Sequence, residues 1–275
     1  MKIIGIIFVF GFVLFGVLYL FSRKLLYFPA PLEPGRLDHI RSSLKGVEEI
    51  SIPVAQGVIL HGWFINKDLE HLPVIFYFGG NAEEVSLNLE EYSANLNANV
   101  ILVNYRGYGK STGRPKEKDL KADALAVYDA MARQFPLTPS AVIAWGRSLG
   151  SSMACFLALE RNLGGLILTC PFDSIENVAA SYYPAWLVRL VLRDRHRTTD
   201  YSGKIQSNTL VLVAGRDEVI PAKNTLALFD SLGCEKERVV MEKAGHNTIS
   251  DFKEYFESVN RFCSQFKPGP ALTRE

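Results

Sequence analysis

The sequence predicts an α/β domain built on a mainly parallel, doubly wound sheet, with an antiparallel hairpin at its start and a small helical lid. Three observations lead there. Short apolar runs alternate with segments of helical spacing over roughly 200 residues, the pattern of parallel strands joined by crossover helices. Two runs, Pro73 to Phe78 and Val100 to Val103, are apolar without alternation, as in strands covered on both faces. Finally, an apolar run ends at Gly146-Arg147-Ser148-Leu149-Gly150 and a helix-forming segment starts at once.

With 48% hydrophobic and 21% charged residues, the 275-residue chain can bury one sizeable core. A formal net charge of +1 gives no bulk pull toward nucleic acid, which excludes a polyanion-binding class. Cys155, Cys170, Cys234 and Cys263 lie far apart without metal-ligand spacing and read as buried thiols. No metal or organic cofactor is implied.

At the amino terminus, Ile3 to Phe21 carry no charge. As a helix they would span about 28 Å, the thickness of a bilayer's hydrocarbon core. The expectation is a single-pass membrane anchor over residues 1–24, with a catalytic domain over 25–275. A cleaved signal peptide is the competing reading, but no small-residue cleavage site follows the run. Arg23, Lys24, Arg36 and Arg41 on the far flank outnumber Lys2, a slight lean to a cytoplasmic domain. Pro29, Pro31 and Pro34 then suggest a stiff tether, or else an ordered lead-in loop.

Val47 to Val54 and Val58 to Ile65 read as the hairpin, followed by the Pro73 strand and a helix over about Ala82 to Leu96. After the Val100 strand come a helix over Lys116 to Gln134, the serine turn, and a strand from Gly165 to Cys170. Later strands are Thr209 to Ala214 and Arg238 to Met241, with helices at about Ala222 to Leu232 and Ile249 to Phe266. The long interval of about 171–208 is too extended for a plain connection in a compact domain and reads as the lid.

Ligands of open parallel sheets bind where the strands end, so the exit loops are the places to look for chemistry. Gly146 and Gly150 permit a turn too tight for a β-carbon and hold Ser148 out at the sheet edge. Gly215-Arg216-Asp217 follows the Thr209 strand and Gly245-His246 follows the Arg238 strand. The order Ser148, Asp217, His246 is that of a nucleophile-elbow hydrolase. Asp173 and Glu218 are rival acids. A tetrahedral oxyanion needs two N–H donors, and Leu149 with Asn81 of the Gly79-Gly80-Asn81 turn are the candidates.

On these motifs, together with Asn104-Tyr105-Arg106-Gly107-Tyr108-Gly109, the chain resembles the α/β-hydrolase superfamily from about Leu26 to Phe266. Within it, the resemblance is to membrane-anchored abhydrolase-domain serine hydrolases, which include protein depalmitoylases and their bacterial relatives. Many relatives carry His-Gly-Asn where this chain has Gly79-Gly80-Asn81, which puts the rigidity of that turn in question.

The resemblance implies acyl transfer on Ser148; the triad combined with the anchor and the aromatic lid points to an ester or thioester with an apolar acyl part, borne by a lipid or a lipidated protein at a membrane surface. A serine peptidase and a non-catalytic membrane-bound interaction module are the alternatives. Tyr105-Arg106-Gly107 is expected to shape a loop near the site. Tyr182, Tyr183 and Trp186 either line an acyl pocket or only pack the lid. His61 reads as a strand residue and His39 and His71 as loop residues; His196, in the basic cluster Arg189 to Arg197, reads as a solvated surface group, with contact to an anionic substrate or headgroup as the alternative.

Overall fold

The computed structural model describes residues 2–268, with side chains from residue 11 onward. Helix α1 (Lys2–Leu26) leads through a proline-containing segment to α2 (Arg36–Ser43) and to strands β1 (Val47–Ala55), β2 (Val58–Ile65) and β3 (Val74–Phe78). Then come α3 (Leu89–Asn95), β4 (Asn99–Val103), α4 (Glu117–Gln134), β5 (Val142–Arg147), α5 (Gly150–Arg161) and β6 (Gly165–Thr169). Two short helices, α6 (Ile175–Ala180) and α7 (Ala185–Val191), form the lid before β7 (Asn208–Ala214), α8 (Ala222–Ser231), β8 (Lys236–Met241) and α9 (Lys253–Cys263).

The eight strands lie in the order β1-β2-β4-β3-β5-β6-β7-β8. β1 and β2 pair antiparallel, β2 meets β4 antiparallel, and every later pairing is parallel. The unalternating runs are covered on both faces, as expected: every residue of β3 and β4 is buried. Within β5, Val142 and Ala144 join the core with α4 and α5, while Ile143 and Trp145 join the core with α3 and α9. Side chains alternating across one buried sheet therefore serve two hydrophobic layers.

Two helices are shorter than their periodicity predicts. The expected Ala82–Leu96 helix begins only at a 3₁₀ turn, Val85–Asn88, because Ala82 takes a left-handed φ of 59° and Glu83 is drawn into the sheet edge. Its carboxylate accepts from Gly80 N–H at 2.7 Å. The closing helix likewise starts at Lys253, after a 3₁₀ turn at Ile249–Asp251.

The membrane anchor expected over Ile3 to Phe21 is corrected. Among the described residues no helix is long and apolar enough to cross a membrane; the side chains of 2–10 lie outside the described part. The described end of α1 is instead taken up by the domain. Ser22 is buried, Arg23 donates to Asp194 through Nε at 2.9 Å and Nη2 at 3.1 Å, and the Arg193 guanidinium lies over the Tyr19 ring. Phe12, Val13, Leu14 and Leu20 are exposed. The question of which side an anchored domain would face falls with the anchor.

The proline segment is no free tether either, but the ordered lead-in. Tyr27 is buried, Phe28 N–H donates to Asn81 Oδ1 at 3.0 Å, and Ala30 C=O accepts from Gly109 N–H at 2.8 Å. Of the cysteines, all are free thiols; Cys234 is half-buried and the other three are buried.

Candidate active site

Five strands deliver their exit loops to one edge of the sheet: β3 brings Asn81, β4 brings Tyr105, β5 brings Ser148, β7 brings Asp217 and β8 brings His246. The turn at β5 has almost no free space. A β-carbon on Gly150 would lie 1.9 Å from Phe78 O, and one on Gly146 would lie 2.4 Å from Gly150 O. Between them Ser148 takes a φ of 50°, a left-handed conformation that a non-glycine residue adopts only when its surroundings enforce it. Its N–H is anchored on Thr169 O of β6 at 2.9 Å.

Ser148 Oγ lies 3.0 Å from His246 Nε2, and His246 Nδ1 lies 2.8 and 3.0 Å from the two Asp217 carboxylate oxygens. The structure thus brings the three sequence-predicted residues into one hydrogen-bonded chain. Burial alone would raise the Asp217 carboxyl, but the His246 hydrogen bond and the N–H groups of Ile220 and Val219 more than offset it. The group is held below its ordinary range.

The rival acids are employed elsewhere. Asp173 accepts from Asn224 Nδ2 at 2.8 Å and from Asn177 Nδ2, while its neighbour Ser174 caps α6. Glu218 accepts the backbone N–H of His246 at 3.2 Å. The carboxylate helps aim the histidine loop without reaching the ring.

The oxyanion candidates are Leu149, next to Ser148 in the chain, and Asn81 in the exit turn of β3. Among the described residues, the N–H groups of Leu149 and Asn81 donate to no other part of the chain. The Asn81 side chain is fully engaged: Oδ1 accepts from Phe28 N–H, Ala82 N–H and Tyr108 OH, while Nδ2 donates to Leu26 O at 2.6 Å. Gly80 N–H, by contrast, is spent on Glu83.

That turn is stiffened by Tyr105, expected near the site, and by an ion pair of Glu83 with Arg147 that the sequence reading missed. Tyr105 OH donates to Gly79 O at 2.7 Å. The buried Glu83 carboxylate accepts from Gly80 N–H, Tyr77 OH, Asn88 Nδ2 and Arg147 Nη1, all at 2.7 or 2.8 Å. Arg147 then donates through Nη2 to Asn247 Oδ1 at 2.8 Å. One ion pair therefore joins the Asn81 turn, the serine turn and the histidine loop. Burial alone would raise the Glu83 carboxyl, but the Arg147 charge and the donated hydrogen bonds hold it below its usual range. Burial would lower Arg147, and the Glu83 charge outweighs it. A sequence signal existed: a glutamate three residues after Gly80 has the spacing of a capping box.

Other expectations sort as follows. Arg106 forms a two-pronged salt bridge with Asp123 of α4, both contacts at 2.6 Å, which shapes the loop after β4. His61 is buried against Glu49 at 2.9 Å. His196 is corrected: it is no surface residue but 0% exposed, with Nδ1 3.1 Å from Ser152 Oγ of α5 and Nε2 2.9 Å from Tyr27 OH. Tyr182 and Trp186 are exposed, and Tyr182 OH donates to Val219 O at 3.0 Å, tying the lid to the acid loop. Donor atoms of Cys170, Asp217 and His246 lie within 4.8 Å of one another. They make a poor metal site: His246 has both ring nitrogens engaged, and burial beside Asp217 pushes the Cys170 thiol up to about 12.

Comparison with known proteins bears on this geometry. The family model for the alpha/beta hydrolase fold matches residues 58–199, more than half of the chain. The chain belongs to the alpha/beta hydrolase family. An uncharacterised protein of Mycobacterium tuberculosis is 30% identical to this hydrolase over 89% of the chain and 88% of its own length. Human alpha/beta hydrolase domain-containing protein 17B is 31% identical, over 70% of this chain and 66% of its own. Among solved structures, a Pyrococcus furiosus esterase superposes with a TM-score of 0.69 at 18% identity, covering 88% of this chain and 100% of the esterase. That likeness speaks to the fold, and the family to a hydrolase.

Proposed function

We propose that this hydrolase cleaves an ester or thioester of an apolar acyl group through an acyl-enzyme on Ser148. The observation that carries the reading is the 3.0 Å contact from Ser148 Oγ to His246 Nε2, made by a serine held in a left-handed backbone conformation at a strand-to-helix turn. Such a serine has a base within proton-transfer reach.

In this mechanism His246 takes the Ser148 proton as Oγ attacks the carbonyl carbon, and Asp217 on Nδ1 holds the ring in the tautomer that leaves Nε2 free to accept. Negative charge develops on the carbonyl oxygen, where the Leu149 and Asn81 N–H groups supply two fixed donors. His246 returns the proton to the leaving alcohol or thiol. Water, deprotonated by the same imidazole, then releases the acid and restores Ser148.

Substrates of this type include acyl lipids and S-acylated proteins. A membrane-surface setting rests on the anchor corrected above and forms no part of the reading.

A fluorophosphonate probe is expected to label the wild-type protein and not Ser148→Ala. Ser148→Ala and His246→Ala are expected to lose turnover by on the order of 10⁴ to 10⁶ while keeping the wild-type unfolding curve. A wild type that neither takes the probe nor turns over any ester or thioester would leave only a non-catalytic module. Cleavage of peptide amides to the exclusion of esters would replace the reading with a peptidase.

A further inference from the structure

A cavity of about 470 Å³ lies between the carboxyl-terminal end of α1 and the two lid helices. From α1 it is lined by Leu18, Leu25 and Leu26, and from the lid by residues that include Ala179, Leu187 and Val191. No charged side chain lines it, and the hydroxyl of Ser22 on its wall is spent on Tyr19 O at 2.9 Å. Its size falls within the roughly 300–1,000 Å³ of small-molecule sites. Apolar walls without a filling lose packing on one side, a loss that an apolar ligand makes good.

Its position says which ligand. Leu26, at one end, accepts through its carbonyl from Asn81 Nδ2, and Asn81 is the outer oxyanion donor of the proposed mechanism. On the lid side, Ile175 follows directly on the loop leaving β6, the strand beside the serine turn. Leu26 thus belongs both to the cavity wall and, through Asn81, to the surroundings of the oxyanion turn. Along the α1 axis the eight steps from Leu26 back to Leu18 cover about 12 Å.

We propose that this cavity binds the acyl chain of the substrate, so that α1 is a specificity-determining wall of the active site. The inference rests on the serine-hydrolase reading and adds its chain-length determinant. The wall is held in place from below. Arg23 grips Asp194 with two nitrogens, and Tyr27 OH reaches Asp194 at 3.1 Å and His196 at 2.9 Å. Asp194 and His196 belong to the segment after α7, so the same contacts seat both sides of the cavity. Chain length is then read by how far the acyl tail runs toward Leu18, along walls that are apolar apart from Ser22 and Tyr183.

The test is a ladder of p-nitrophenyl esters from acetate to palmitate, run on wild type, Ala179→Trp and Leu18→Trp. The tryptophans fill the cavity from the lid side and the α1 side. A lost methylene contact in an apolar pocket costs roughly 10-fold or more, so both variants are expected to lose at least that in kcat/KM on the longest esters they can no longer seat. Acetate has no chain to reach the cavity, so its turnover should fall far less than that of the long esters. Should a tryptophan variant fail to fold, Leu18→Ala is read instead, and it should shift the optimum to longer chains. A chain-length profile that none of the folded variants changes overturns the cavity assignment while leaving the hydrolase standing. A wild type inert to every ester and to a fluorophosphonate overturns both.

Discussion

Replacing Glu83 by glutamine keeps the shape of the side chain and removes its charge, which isolates the role of the ion pair with Arg147. The pair is well buried, with the two side chains 8% and 20% exposed and 2.8 Å apart. Taking away one partner leaves the Arg147 guanidinium charged and without its counter-ion, which costs about 3–5 kcal/mol in such settings. Some of the four hydrogen bonds accepted by Glu83 are also lost, since an amide nitrogen cannot accept. Urea unfolding followed by fluorescence is the assay, with Glu83→Gln, Arg147→Met and the double variant forming a cycle. The double variant should be markedly less destabilised than the sum of the singles, because it leaves no stranded charge. Loosening the Asn81 turn should also slow fluorophosphonate labelling of Ser148 and lower kcat more than it raises KM, by roughly 10²-fold if the donor is displaced. A Glu83→Gln protein within about 1 kcal/mol of wild type and with unchanged labelling would refute the idea that this pair holds the site together.

Three further outcomes are expected. Burial pushes His196 down to about 4 from its ordinary 6.5, with Glu117 and Asp194 opposing the shift and Lys121 adding to it. Between those values the unfolded chain binds a proton that the folded one refuses. Stability is therefore complete above pH 6.5 and falls as pH drops toward 4, by up to about 3 kcal/mol; urea unfolding should show this slope in wild type and a flatter one in His196→Gln. Gly150→Ala puts a β-carbon 1.9 Å from the Phe78 carbonyl oxygen, so the serine turn cannot close as it stands; probe labelling should be lost, and normal labelling would show that the turn yields. Asp217→Asn should lower kcat by about 10⁴, with the fold intact by circular dichroism, and the larger share should appear in kcat rather than KM. A loss below tenfold would point to another acid.

Much of this architecture is local and so can be read along the chain. The unalternating apolar runs became β3 and β4 because strands buried on both faces must be apolar throughout. Gly146 and Gly150 mark the serine turn because nothing larger fits there. Asp217 and His246 were legible because each follows its own strand, and parallel strands deliver their ends to one edge.

What only the tertiary structure decided depends on partners distant in the chain. The apolar run that sequence alone reads as a bilayer span is, over its described end, a helix seated on the lid; its choice of surroundings is set by Asp194, 171 residues away from Arg23. His196 reads as solvated among arginines, yet burial follows from Tyr27 and Ser152 closing over it from two other elements. Asn81 owes its fixed side chain to Leu26, Phe28 and Tyr108 rather than to its neighbours in the turn. Periodicity and turn chemistry act within a few residues, whereas burial of a polar group is settled by whichever distant donor or acceptor satisfies it.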